Sequence, residues 1–233
     1  MSDNPPPLVL LTRPRAQSER FARALDTRLP GVAVAIAPLM EVVPLPAPPE
    51  ARTAPTMIFT SENAVPQAGA GQGRLAWCVG TRTQAAARAA GFRAHSVDGT
   101  ANDLVARLAQ DPPPGPIWHL HGVHVRGDVA KRLCRAGLDV REAAVYDQRE
   151  MPPDATLDAA LARDGVIAPV FSPRSAKLLA QAAEGADAAR LTLVAISAAA
   201  RDALPAAWQD RTILAETPDA AAILEAIARR IGT

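Results

Sequence analysis

The sequence predicts an α/β protein of two lobes, each built on a parallel sheet of about five strands. Three observations carry this. Short apolar runs alternate with amphipathic stretches along the chain, the pattern of successive βαβ units. Several runs stop on a small hydroxyl residue that opens a helical pattern, as in MIFTSENAV, PVFSPRSAKLL and LVAISAAARDAL. Two stretches that suit neither helix nor central strand interrupt the alternation, as in a chain that leaves one lobe, builds another and returns.

Taken in order, strands are expected at 8–11, 32–37, 56–59, 75–79, 93–97, 116–121, 138–143, 166–171, 191–196 and 211–215. Ten strands would be many for one sheet in 233 residues, and two sheets of five fit better. Between the strands lie helical patterns such as RAQSERFARALDTRL, where Phe21, Ala24, Leu25 and Leu29 share a face. The stretch from Pro38 to Pro55 is too rich in proline for a helix or central strand and reads as a first crossing. AAVYDQREMPPDA, from Ala143 to Ala155, is extended and helix-poor and reads as the second. A discontinuous first domain of 1–38 and 152–233 follows, with a second at 51–142 and linkers at 39–50 and 143–151. The two halves are also alike: each repeats an apolar stretch, a Ser/Thr break and a helix three times at similar spacings.

Composition narrows the function classes. A net charge of +1 gives no field to steer the chain toward nucleic acid or an anionic membrane. Lys occurs only at 131 and 177, so Arg carries the positive charge; with Ala and Pro also inflated, this reads mainly as compositional drift. Cys78 and Cys134 lack C-x-x-C spacing and are expected as buried small hydrophobes in a reducing compartment. No signal-peptide pattern and no stretch of membrane-span length is present. A cytoplasmic monomer is expected.

Ligands of open parallel sheets bind beyond the carboxyl ends of the strands, where helix N-termini offer unpaired N–H groups to anions. Thr12, Ser61, Thr83, Thr100, Ser172, Ser197 and Thr217 fall at such places. Each alone reads as a helix cap; their recurrence in both lobes suggests a cleft lined with donors. Phosphate-loop, dinucleotide, nucleophile-elbow and HExxH motifs are missing. HLHGVH groups His119, His121 and His124, but no Cys or carboxylate accompanies them in sequence, so no metal is expected. Tyr146, the only tyrosine, lies in the second crossing. From position it is either a ring packed at a hinge or a hydroxyl presented to the cleft.

The order and spacing of LLTRPRAQ, PLMEVVPL, IFTSENAV, CVGTRTQAAARAAGF, RGDVAKRLCRAGLDVREAAVY, VFSPRSA and TPDAAAILEAI resemble the uroporphyrinogen-III synthase family over nearly the whole chain. The resemblance implies two flavodoxin-like lobes joined by a two-stranded antiparallel linker. It implies an enzyme without metal or organic cofactor, a cyclising hydro-lyase of haem and related tetrapyrrole biosynthesis. Its substrate would be hydroxymethylbilane, a linear tetrapyrrole with eight carboxylates, held between the lobes by backbone amides and hydroxyls. Matched motif by motif, Tyr146 corresponds to the linker tyrosine that assists loss of the substrate hydroxyl. Thr60, Ser61, Thr83 and Ser172 correspond to polar cleft positions and Arg13 and Arg126 to carboxylate partners, while Ser197, at a glycine of the family motif, is expected as a further substrate-binding residue. Two departures stand out: AISAAARDAL has Ser197 and Ala200 where the family has a Gly-Pro-x-Thr type of start, and His121 replaces an arginine. Two alternatives therefore stay open, a two-lobed binding or regulatory relative without cyclase activity and an unrelated two-domain transferase for phosphorylated substrates.

Overall fold

The computed structural model describes residues 7–97, 99–124, 127–185 and 190–232. The chain opens with β1 (Leu8–Leu11), α1 (Arg15–Arg28), β2 (Ala33–Ile36) and β3 (Met40–Pro44). A 3₁₀ turn (Pro49–Arg52) leads into β4 (Thr56–Phe59), and a longer 3₁₀ helix (Glu62–Ala68) into β5 (Leu75–Val79). Then come α2 (Thr81–Ala89), β6 (Arg93–Val97), α3 (Ala101–Gln110), β7 (Ile117–Gly122), α4 (Val129–Arg135) and β8 (Val140–Glu150). The chain continues through α5 (Ala155–Leu161), β9 (Val166–Val170), α6 (Pro173–Ala182) and β10 (Leu191–Ala195). It closes with α7 (Ala198–Arg201), α8 (Ala206–Gln209), β11 (Ile213–Leu214) and α9 (Ala220–Gly232). Two units result, Met1–Glu41 with Arg149–Thr233, and Val42–Gln148. Their boundaries fall inside β3 and β8.

The first unit carries a five-stranded sheet in the order β11-β10-β9-β1-β2, parallel throughout. A parallel sheet covered on both faces needs apolar residues at every position, not every second one. LVLL and VIAPV meet that need, and every residue of β1 and β9 is buried. Leu8, Leu10, Val166 and Ala168 face Leu157 of α5 and Leu179 of α6. Val9, Leu11 and Ile167 point the other way, onto Phe21 and Leu25 of α1 and Ile223 and Ile227 of α9. Full burial of each such Leu or Ile is worth about 1.5–3 kcal/mol.

The second unit's sheet has six strands, β3-β8-β7-β4-β5-β6, one more than the sequence suggests. From β8 to β6 neighbours are parallel. Beside the edge strand β3, Leu45 N–H donates to the Val145 carbonyl and Met151 N–H to that of Leu39. Partner numbers therefore run in opposite senses and the sheet is mixed. The extra strand was hidden by prolines and charge: β3 ends on Pro44, as an edge strand can. β8 runs on from the expected 138–143 through Asp147 and Arg149 to Glu150. On one face Met57, Phe59, Cys78, Trp118 and Leu120 pack with Val145 and Tyr146. On the other, Ile58 and Ile117 meet Leu104 and Leu108 of α3 and Leu133 of α4.

Candidate functional site

In the first unit β1, β9 and β10 are neighbours, so the residues that follow them gather at one sheet edge. Arg13 lies with its guanidinium 4.1 Å above the Phe171 ring, and Phe21 meets the same ring edge-on at 5.2 Å. Ser172, next in sequence to Phe171, caps α6: its Oγ accepts the Ser175 N–H at 3.1 Å, while Ser175 Oγ accepts the Ser172 N–H at 2.9 Å. Ser197 caps the short α7 by accepting the Ala200 N–H at 3.3 Å. Arg13, Ser172 and Ser197 thus follow three adjacent strands. Thr12 is no cap. Pro14 takes that position, and Thr12 is buried while its carbonyl accepts the Leu39 N–H. Nor does Thr217 cap α9; it donates to Asp219, whose other oxygen accepts the Ala222 N–H.

In the second unit Thr60 and Ser61 follow β4, beside β7. Ser61 Oγ accepts the Asn63 N–H at 3.3 Å. Thr83 departs from the expected cap: Gly80, at φ +81°, holds that place, leaving Thr83 in the first turn of α2 with its side chain buried. Thr100 caps α3 through a reciprocal box with Asp103. Arg126 lies outside the described residues.

Tyr146 belongs to β8 and stands opposite Gly122, just past an irregularity in the β7–β8 register. A Cβ on Gly122 would come within 2.6 Å of Tyr146 Cζ and 2.9 Å of its hydroxyl. The tyrosine ring therefore occupies the space a side chain at 122 would fill, and Gly122 is a positioning residue that the spacing alone did not reveal. Val123 N–H donates to the Tyr146 carbonyl at 2.9 Å, holding the backbone of the pair.

On the opposite face of β7 stand the two histidines. Their rings lie 4.9 Å apart. Thr60 Oγ1 is 3.3 Å from His119 Nε2, and His121 Nδ1 is 2.7 Å from the Gly122 carbonyl. A carbonyl only accepts, so His121 Nδ1 is the donor of that bond, and Nε2 is the nitrogen turned toward Glu142. Burial, and secondarily the neighbouring His121, push the His119 pKa down to about 3, so its imidazole is neutral near pH 7. Glu142 stands opposite His119 on β8, with Oε2 3.7 Å from His121 Nε2. A carboxylate thus does accompany the pair. Some twenty residues of sequence separate it from the histidines, and strand register brings it back. Among the described residues, His119, His121 and Glu142 form the group able to hold a metal ion, their ligating atoms within 4.8 Å of one another.

The cysteines differ from expectation. Cys78 is buried, and burial pushes its thiol up to about 12. Cys134 is exposed, because α4 turns Val129, Ala130 and Leu133 inward and leaves position 134 on the outer side. Among the described residues no helix is long and apolar enough to cross a membrane.

No curated protein sequence matches the chain. In fold it is similar to uroporphyrinogen-III synthetase from Helicobacter pylori, with a TM-score of 0.64 at 16% identity, covering 96% of this chain and 99% of that one. It is also similar to a mutant uroporphyrinogen III synthase from the extremely thermophilic bacterium Thermus thermophilus, with a TM-score of 0.54 at 19% identity, covering 97% and 99%. A family model described as uroporphyrinogen-III synthase HemD matches residues 19–225, which take in most of both units. The chain belongs to the uroporphyrinogen-III synthase family.

Proposed function

We propose that this chain cyclises hydroxymethylbilane to uroporphyrinogen III, inverting ring D and releasing one water, in the cytoplasm and as a monomer. The observation that carries this reading is the family match over residues 19–225. The substrate loses its terminal hydroxyl as water, leaving a cationic azafulvene at ring A. The substituted carbon of ring D attacks that carbon to give a spiro-pyrrolenine, which fragments and recloses with ring D reversed. Loss of a proton completes the macrocycle, so the net change is the departure of water. The chain's task is to fold a flexible polyacid into one reactive arrangement; positioning of this kind is worth at most about 7–11 kcal/mol.

In this reading Tyr146 donates a hydrogen bond, or its proton, to the departing hydroxyl. It suits the role because its ring is pinned over Gly122. Thr60, Ser61 and Thr83 in the second unit, and Arg13, Ser172 and Ser197 in the first, bind acetate and propionate groups together with helix N-terminal amides; Arg126 is assigned the same role from its motif. Capping does not disqualify a serine. Ser61 accepts from Asn63 with its oxygen and still has a proton to give a carboxylate. The domains of this reading are those inferred from the crossings, 1–38 with 152–233 and 51–142, with linkers at 39–50 and 143–151.

The test is to supply freshly made hydroxymethylbilane, oxidise the product and separate the porphyrin isomers. Excess type III isomer is expected. Type I alone, at the background rate, overturns the proposal and favours a binding relative without cyclase activity. Tyr146→Phe is expected to lower kcat about 10²-fold or more with little change in KM; unchanged turnover removes Tyr146 from the acid role.

A further inference from the structure

We propose that His119, His121 and Glu142 form a binding site for a divalent first-row transition ion, with zinc as its natural probe. The site goes beyond the cyclisation reaction and does not depend on it. It lies on the face of β7 opposite Trp118, Leu120 and the Tyr146 ring.

Four features make it a built site. First, His119 is fully buried and His121 is 8% exposed, yet His119 Nδ1 and His121 Nε2 have no hydrogen-bond partner. Two imidazole nitrogens buried without hydrogen-bond partners are costly, at roughly 1–3 kcal/mol each, unless something fills the gap between them. Secondly, each ring's other nitrogen is already held, His119 Nε2 by Thr60 and His121 Nδ1 by the Gly122 carbonyl. The Gly122 carbonyl makes His121 Nδ1 a donor, and outer contacts of this kind orient the rings of metal-binding histidines. Thirdly, Glu142 supplies a carboxylate oxygen 3.7 Å from His121 Nε2. Zinc bonds of about 2.0–2.2 Å in a tetrahedron set ligand separations near 3.4 Å. One potential ligand atom from each of the three residues lies within 4.8 Å of the others, and the partly exposed Glu142 can close the remainder by a rotamer change. Fourthly, two imidazoles and one carboxylate are a donor set suited to zinc and its first-row neighbours, and a poor one for magnesium or calcium. Bound, the ion would clamp β7 to β8 and draw Thr60 into its surroundings.

The full-length protein is stripped with a chelator, dialysed, and titrated with zinc while the ring-proton resonances of its four histidines are followed. One zinc per chain is expected, with His119 and His121 shifting and His95 unmoved; a matching rise in melting temperature follows from mass action. Cobalt in place of zinc should develop visible absorption. Glu142→Gln, at a partly exposed position, should weaken zinc roughly tenfold or more. His121→Gln should abolish binding, whereas His124→Ala should not alter it. No zinc retained by the wild-type chain, shifts confined to His95 or His124, or equal affinity in Glu142→Gln and His121→Gln would each overturn the site. The wild-type spectrum decides even where a histidine variant does not fold.

Discussion

The two units share one plan of parallel strands and capped helices, yet they hold their loops by different means. In the first unit the joints after the strands are secured locally: Ser172 with Ser175, Ser197 with Ala200, and Asp219 with Ala222. An ion pair that does span this unit, Arg28 with Glu225, is a half-exposed surface pair, a kind that contributes little. The second unit has local caps too, but adds long-range ties. Arg74 alone donates to the carbonyls of Ala51, Ala68, Ala70 and Gly71 and stacks on Phe92. Thr56 Oγ1 donates to the Pro114 carbonyl at 2.7 Å. A cap stabilises one helix end, whereas Arg74 fastens several backbone segments that no sheet or helix ladder satisfies.

The comparison is tested most severely at Arg74. Replacement by Leu takes the side-chain donor from the carbonyls of Ala51, Ala54, Ala68 and Ala70, while that of Gly71 keeps the backbone N–H of residue 74. Hydrogen bonds to a charged group are worth about 1.5–3 kcal/mol each, and water recovers part of that at half-buried sites. A loss of about 3 kcal/mol or more is expected in urea unfolding of the full chain. Arg28→Leu, which breaks the surface pair of the first unit, should barely move the transition. Equal losses would abolish the distinction.

Glycines sharpen it at a lower level. Gly71 has no room for a side chain: a Cβ there would sit 2.3 Å from the backbone of Gly91 and Phe92. Gly31 in the first unit meets nothing within 4 Å, and only its φ of +83° calls for glycine. Gly71→Ala should therefore cost about 2–3 kcal/mol through overpacking against backbone, and Gly31→Ala about 1–2 through the left-handed conformation. Paired denaturation curves measure the gap, and an inverted order would show that the Gly71–Gly91 approach relaxes freely.

The same division explains what the sequence disclosed. Strands β1, β4 and β9 were legible because burial on both faces writes a parallel strand as an unbroken apolar run. The caps at Ser61, Thr100, Ser172 and Ser197 were legible because capping is a short-range rule. Thr12 and Thr83 failed where Pro14 and Gly80 displaced them from the cap. The illegible features depend on register. The polar run of β8 hides a strand, the approach of Tyr146 to Gly122 needs an irregular pairing, and Glu142 reaches the histidines only because β7 and β8 are neighbours. Periodicity reports which face a residue takes, not which residue lies across from it.

The smallest effects should be alike in both units, since caps act locally. Asp103 in the second unit accepts from the Thr100 N–H and hydroxyl, and Asp219 in the first accepts from the Ala222 N–H and the Thr217 hydroxyl. In each case hydrogen bonds, led by the one from a backbone N–H, hold the carboxyl pKa below its ordinary value. A carboxyl whose pKa is depressed by folding binds its proton more readily in the unfolded chain. Its stabilisation is therefore complete above the unfolded carboxylate pKa and is lost as the pH falls through the lower folded one. Asp103→Asn and Asp219→Asn should each flatten the fall of stability with acid, by similar amounts, and leave its slope above the carboxylate range unchanged. Both carboxylates are solvated, so the change is small and is best read from the carboxyl resonances themselves. Depression at Asp103 without depression at Asp219 would mean that the capping rules, and not only the long-range ties, differ between the units.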